Sequence, residues 1–251
     1  MSQIFTAVFY QPILNLLIFL YNTVALHDLG LAIILLTVVI RLVFWPLSKS
    51  SIKSQKALQD LQPKIEELKK KFNNDKVELS RATMELYKEN KVNPFSSCLP
   101  LLIQLPFLFA VYRVFRDGIG NKLDFVYPFI SRPEVINTLS FGFLDLVKPN
   151  IPLAILAGLA QFWQAKMMIT TKPAIDTPGS KDESMAAIMN KQMLYFMPAI
   201  TVFIGLSLPG GLTLYWFVLT FLTAVQQLIT FHKKTGASSG AGNTIEGELI
   251  K

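Results

Sequence analysis

Arg41 constrains this chain more than any other residue. It sits inside Leu29–Leu47 (LGLAIILLTVVIRLVFWPL), an apolar run long enough to cross a bilayer. A charge at that depth costs about 2.5–3.5 kcal/mol on insertion scales and roughly 10–17 kcal/mol in simulations of an isolated helix. It persists where it is paired, faces water, or reaches the interface through its long side chain. The other long apolar runs, near residues 95–115, 151–169, 193–208 and 211–231, contain no Asp or Glu. Two readings follow. Arg41 snorkels to the nearer interface, or its guanidinium lines a water-containing groove and meets an anion brought by another molecule.

Five long apolar runs in 251 residues, with 51% hydrophobic composition and a mean hydropathy of +0.41, point to an all-α multi-pass membrane protein. The formal charge of +7 and pI near 9.4 fit basic cytoplasmic loops beside anionic lipid. Nucleic-acid binding is the weaker reading, because the basic residues are interspersed with acids. The single Cys98 excludes an internal disulfide and a multi-cysteine metal site, and reads as a small packing residue. No Lys or Arg precedes Arg41, so no cleavable signal peptide is expected. No cysteine near the start suggests a lipoprotein signal.

Residues 1–27 are apolar but carry Gln11, Asn15 and Asn22, spaced by four and seven and so on one helical face. That suits an amphipathic helix lying in the external interface, with a sixth, poor span as the alternative. The first span is expected over 28–47. Residues 48–93 carry eleven Lys/Arg against seven Asp/Glu. Their apolar positions Leu58, Leu61, Ile65, Leu68 and Phe72 step by 3, 4, 3, 4, a coiled-coil seam. Asn73-Asn74-Asp75 reads as a turn, and Leu79, Ala82 or Thr83, and Leu86 resume the seam. The expectation is an antiparallel cytoplasmic helical hairpin, kinked at Pro63. Further spans are expected at 94–116, 151–169, 192–208 and 211–231. They are joined by an external loop at 117–150, a cytoplasmic loop at 170–191 and a tight turn at Pro209-Gly210-Gly211. Residues 232–251 read as a disordered cytoplasmic tail. Lys/Arg bias then puts the N-terminus outside and the C-terminus in the cytoplasm of a cell-membrane protein.

Catalysis finds no support. His27 and His232 lie at span boundaries on opposite sides, and no Ser–His pair, intramembrane carboxylate pair, glycine-rich phosphate loop or metal cluster is visible. No enzyme activity, cofactor or metal is expected. A coupled ion transporter ordinarily carries intramembrane acids, which are lacking here. A binding groove fits better. Thr37 lies one turn before Arg41 on the same side, and Gln104, Gln161, Gln164, Gln226 and Gln227 put amides at membrane depth on three other helices. For each Gln the competing reading is an interhelical hydrogen bond, worth about 0.6–2 kcal/mol.

These residues suggest a family. GLAIILLTVVIRLVFWPLSKSSIKSQKALQDLQPKIEELKKKF resembles the first core span and cytoplasmic hairpin of the YidC/Oxa1/Alb3 membrane protein insertases. YKENKVNPFSSCLPLLIQLPFLFAVY and LSLPGGLTLYWFVLTFLTAVQQ continue the likeness in the right order, over most of residues 10–231. The resemblance implies five core spans around a hydrophilic groove closed toward the outside. Arg41 falls on the groove arginine of that family, Thr37 on the threonine before it, and Tyr215 with Trp216 on its aromatic LYW motif. The implied function is insertion and folding of nascent membrane proteins, alone or beside the Sec translocon, without nucleotide hydrolysis. A folding chaperone that translocates nothing, or a small-solute transporter, are the alternatives. Three departures stand out. No large external domain precedes the first span, Thr220 stands where Asn is common, and the tail is short and not basic, which argues against tail-mediated ribosome docking.

Overall fold

The computed structural model describes residues 3–72, 75–93, 99–116, 123–168 and 191–238. Cys98, the Asn73-Asn74 turn, the loop at 170–190 and the end of the tail lie outside them. Nine longer helices, a 3-10 turn at Leu123–Phe125 and one short hairpin are found among the described residues. The first six helices are α1 (Gln3–Thr23), α2 (Leu29–Val43), α3 (Trp45–Asp60), α4 (Gln62–Lys71), α5 (Lys76–Glu89) and α6 (Leu99–Arg116). Antiparallel strands β1 (Leu139–Ser140) and β2 (Leu144–Asp145) follow, then α7 (Ile151–Met168), α8 (Gln192–Gly205) and α9 (Gly210–Ser238). Among the described residues, α1 and Gly210–Phe231 of α9 are long and apolar enough to cross a membrane. α2 and Trp45–Lys71 would count as a third only as one span bent by 71°.

Prolines write the irregularities. α1 and α8 each contain a π-helical stretch, Thr6–Tyr10 and Gln192–Phe196, just ahead of Pro12 and Pro198. A proline ring clashes with the carbonyl four residues earlier, and the wider turn relieves that clash. Pro46 corrects an expectation. The span foreseen to run to Leu47 stops at Val43, with Phe44 at φ −92°, ψ 10°, and α3 starts afresh at Trp45. Pro46 sits in the first turn of α3, where a missing N–H costs nothing. A second break falls at Leu61, two residues before Pro63.

The outward arm is α3, α4 and α5. α4 packs on α5, and Leu61 and Ile65 are buried, while the other seam positions are half-buried. Asp75 caps α5, its Oδ1 accepting from the N–H groups of Val77 and Glu78 at 3.0 Å.

In the helical body, α7 packs on α8 and α9, and α9 also meets α2, α3 and α6. Gly158 lies where a Cβ would strike Val202, so α7 and α8 approach closely, as small residues allow. Two residues of the polar face of α1, Asn15 and Asn22, are bonded to protein backbone. Asn15 is 2% exposed. Its Nδ2 donates to the Phe125 carbonyl at 2.9 Å, and its Oδ1 accepts from the Tyr127 N–H at 2.7 Å. Asn22 donates to the Ser131 carbonyl, and the Tyr21 hydroxyl accepts from the Asn137 N–H. α1 therefore grips the loop between α6 and α7 through its polar side, and exposes Ile4, Val8 and Phe19. A buried amide needs partners, and the loop backbone provides them.

The β-hairpin is bolted to helix ends. Asp28 caps α2, accepting from the N–H of Leu31 at 2.9 Å and of Phe141 at 2.6 Å, and from the Ser140 hydroxyl. The Ser140 hydroxyl also accepts from the Gly30 N–H at 3.1 Å. At the other end, the N–H groups of Gly210 and Gly211 donate to the carbonyls of Lys148 and Leu146 at 2.9 and 2.8 Å. A Cβ on Gly211 would lie 2.1 Å from the Phe115 ring. The Pro-Gly-Gly turn is thus the contact of α9 with this loop and with α6. On β2, the Val147 N–H, followed by the Lys148 ammonium at 3.3 Å, holds the half-buried Asp145 carboxyl below the usual carboxylate range.

Candidate functional site

The break at Phe44 changes the setting of Arg41. Instead of lying well inside a span, it occupies the last turn of α2. There its charge faces the negative end of the helix dipole, worth about 0.3–1 kcal/mol at an exposed site. Its side chain is half-buried. Nη1 donates to the Ser48 hydroxyl of α3 at 3.3 Å, a long bond, and Nη2 is buried with no hydrogen-bond partner among the described residues. No carboxylate among them pairs with it. The chain-wide lack of membrane acids thus has a local counterpart: a cation with donor capacity to spare.

Three helices bring their polar groups together beside it. Tyr215 of α9 is fully buried, and the Arg41 guanidinium is close enough to couple to it electrostatically. The Gln104 amide of α6 donates to the Tyr215 hydroxyl at 2.6 Å. Arg41, Tyr215 and Gln104 therefore form one constellation from α2, α9 and α6. Replacing Tyr215 by Phe removes the acceptor of Gln104 and is expected to cost about 1 kcal/mol of stability. The loss should shrink once Gln104 is Leu. Thermal unfolding of both singles and the double checks this, and strictly additive losses would contradict a direct bond.

The remaining expected residues divide. Thr37 is fully buried, and its hydroxyl donates to the Ile33 carbonyl at 2.7 Å, leaving its oxygen able to accept. Gln226 is fully buried and its Nε2 donates to the Trp45 carbonyl at 3.1 Å, tying α9 to the first residue of α3. Gln227 is buried beside it, and the Oε1 atoms of both glutamines lack a donor among the described residues. Gln161 and Gln164 on α7 and Trp216 on α9 are half-buried, and no hydrogen bond joins their side chains to the Arg41 constellation among the described residues. Ser48 is the residue that sequence reasoning missed. Helical spacing could not have flagged it, because the chain breaks at Phe44 between the two residues.

Comparison with known proteins bears on this arrangement. A family model described as the 60Kd inner membrane protein matches residues 19–237. The chain is similar to the protein named membrane protein insertase YidC of Syntrophus aciditrophicus, 39% identical over 217 residues, covering 86% of this chain and 35% of that one. The protein of the same name from Geotalea daltonii is 36% identical over 217 residues, with 86% and 36% covered. The one from Fusobacterium nucleatum is 34% identical over 227 residues, covering 89% of this chain and 97% of that protein. The chain thus spans about a third of the first two relatives and almost the whole of the third. With the match running from within α1 to the end of α9, the chain belongs to the 60Kd inner membrane protein family.

Proposed function

We propose that this protein inserts newly made membrane proteins into the bilayer of the cell membrane and helps them fold. The name shared by its relatives supports this reading, and the observation that carries it is Arg41, half-buried, without a carboxylate among the described residues and with a buried nitrogen lacking a partner. In this reading α2, α6, α7, α8 and α9 are five spans around a groove open to the cytoplasm, with the N-terminus outside. The acidic or polar flank of a client enters and meets Arg41. Tyr215, Gln104 and Thr37 offer hydroxyl and amide contacts. Gln226 and Gln227 hold acceptor oxygens further along α9, nearer the cytoplasmic mouth, and Gln161, Gln164 and Trp216 line the side nearer α7.

The energetics favour a catalyst of passage over a tight binder. A fully charged pair at about 4 Å is worth about 4 kcal/mol at an effective dielectric near 20, and hydration of the groove lowers that. Several neutral contacts of about 1 kcal/mol each let the client leave again. The short α8, fourteen residues or about 21 Å at 1.5 Å per residue, falls short of a core of roughly 30 Å. A thinner bilayer beside it shortens the apolar distance that a polar tail crosses. The arm of α3, α4 and α5 would receive clients first. In this reading it works alone or beside the Sec translocon, and the ribosome delivers nascent chains.

The test is reconstitution of the purified protein in liposomes with one short client. Protease protection of the client's N-terminal tail, dependent on this protein, is the expected result. Membrane association without protection identifies a folding chaperone instead, and saturable solute uptake without protection identifies a transporter.

A further inference from the structure

We infer that the outward face of the β-hairpin is sunk into the bilayer surface, so that the loop between α6 and α7 is a lipid-anchored cap and not a solvated connection. The hairpin alternates, as strands do. Ser140, Leu144 and Leu146 point inward and are 0%, 7% and 0% exposed. Leu139, Phe141, Phe143 and Val147 point outward at 45%, 48%, 79% and 53%. A sheet with one solvated face carries polar residues there, whereas on this outward face Asp145, opposite Leu139 and paired with Lys148, is the one charged residue beside four exposed apolar ones. Phe141 moreover holds φ +53° beside Gly142 at +80°, positions that hairpin turns ordinarily give to Gly, Asn or Asp. A large ring has been kept where the backbone favours a small polar residue.

Two observations identify lipid as the occupant. First, the hairpin is bonded to the opening residues of α2 and α9, through Asp28 and Gly30 on one side and Gly210 and Gly211 on the other. It is therefore held at the level where those helices leave the membrane. Second, its apolar face continues into that of α7. α7 starts four residues after Val147, and its Ile151, Ile155 and Leu159, spaced by four along one side of the helix, are 63%, 47% and 58% exposed. Lys148, between the two, has the long stem that carries an ammonium to the headgroup layer. Contiguous exposed apolar surface of this kind marks a membrane or protein contact, and its continuity with the helix face selects the membrane.

The inference rests on α2, α7 and α9 standing in a bilayer, and is independent of the role of Arg41. It is tested with nitroxide labels on single cysteines, at Phe143→Cys or Val147→Cys, in a Cys98→Ser background in liposomes. Leu159→Cys serves as the lipid reference and Asp124→Cys as the water reference. Power-saturation spectroscopy compares collisions with oxygen and with a water-soluble nickel chelate. Labels at 143 and 147 are expected to match 159, with oxygen dominant. Labels at 143 and 147 matching 124 while 159 reads as lipid would overturn the cap and leave the helices in place. An aqueous reading at 159 as well would overturn the membrane placement of α7 itself. Val147, away from the turn, keeps the test valid where Phe143→Cys loosens the tip.

Discussion

Insertion of a short client with an acidic tail is expected to fall about 5–30-fold when Arg41 becomes Ala, the factor that corresponds to one or two kcal/mol. Arg41→Lys should retain more activity than Arg41→Ala, and Arg41→Glu should retain least. The reasoning starts from the pair energy of about 4 kcal/mol at 4 Å in an effective dielectric near 20. Part of it is returned as desolvation of both ions, which leaves the smaller figure. Lys keeps the charge but not the planar fork, so a client carboxylate loses its second hydrogen bond. Glu turns attraction into repulsion next to the fully buried Tyr215. Protease protection of the client tail, at matched amounts of each variant in liposomes, measures the series. Equal insertion by wild type and Arg41→Glu would remove the electrostatic role and return Arg41 to a snorkelling residue.

Gly211→Ala is expected to lose about 1–3 kcal/mol of stability through overpacking. The added Cβ would lie 2.1 and 2.2 Å from two carbons of the Phe115 ring, which is itself 8% exposed and part of the core. α9 cannot simply retreat, because the Gly211 N–H is bonded to the Leu146 carbonyl at 2.8 Å. Phe115→Leu alone also destabilises by removing buried ring atoms, yet it should recover part of the loss in the Gly211→Ala background. Thermal unfolding of the purified protein, wild type, singles and double, gives the cycle. Full additivity, or a Gly211→Ala protein as stable as wild type, would show that the contact does not set the α9 register.

Length and apolarity made the helices of the body legible from the sequence, together with the hairpin seam at Leu61 and Ile65. Their ends were less so. Leu29–Leu47 reads as one run because Trp45, Pro46 and Leu47 are apolar, and hydropathy is blind to the proline that splits it. The polar face of α1 was visible, but its destination was not. Asn15 and Asn22 need the backbone of a loop more than a hundred residues away, and no local pattern predicts such a partner. At the site, Arg41 was legible as a cost without compensation. Its neighbours Tyr215 and Gln104 emerged from motif and composition, whereas their bond to one another needed α6 and α9 side by side. Ser48 was hidden because it reads as the first polar residue of a solvated loop.

The break at Phe44 has a mechanical consequence. Trp45–Lys71 is 27 residues of nearly continuous helix, about 40 Å at 1.5 Å per residue. Its fulcrum is held by two side-chain bonds, Arg41 to Ser48 and Gln226 to the Trp45 carbonyl. A rotation of about 10° there sweeps the far tip through roughly 7 Å, about five residues of helix rise. The arm is thus a geometric lever whose short end lies beside Arg41, so that a small rotation at the break is multiplied at Lys71.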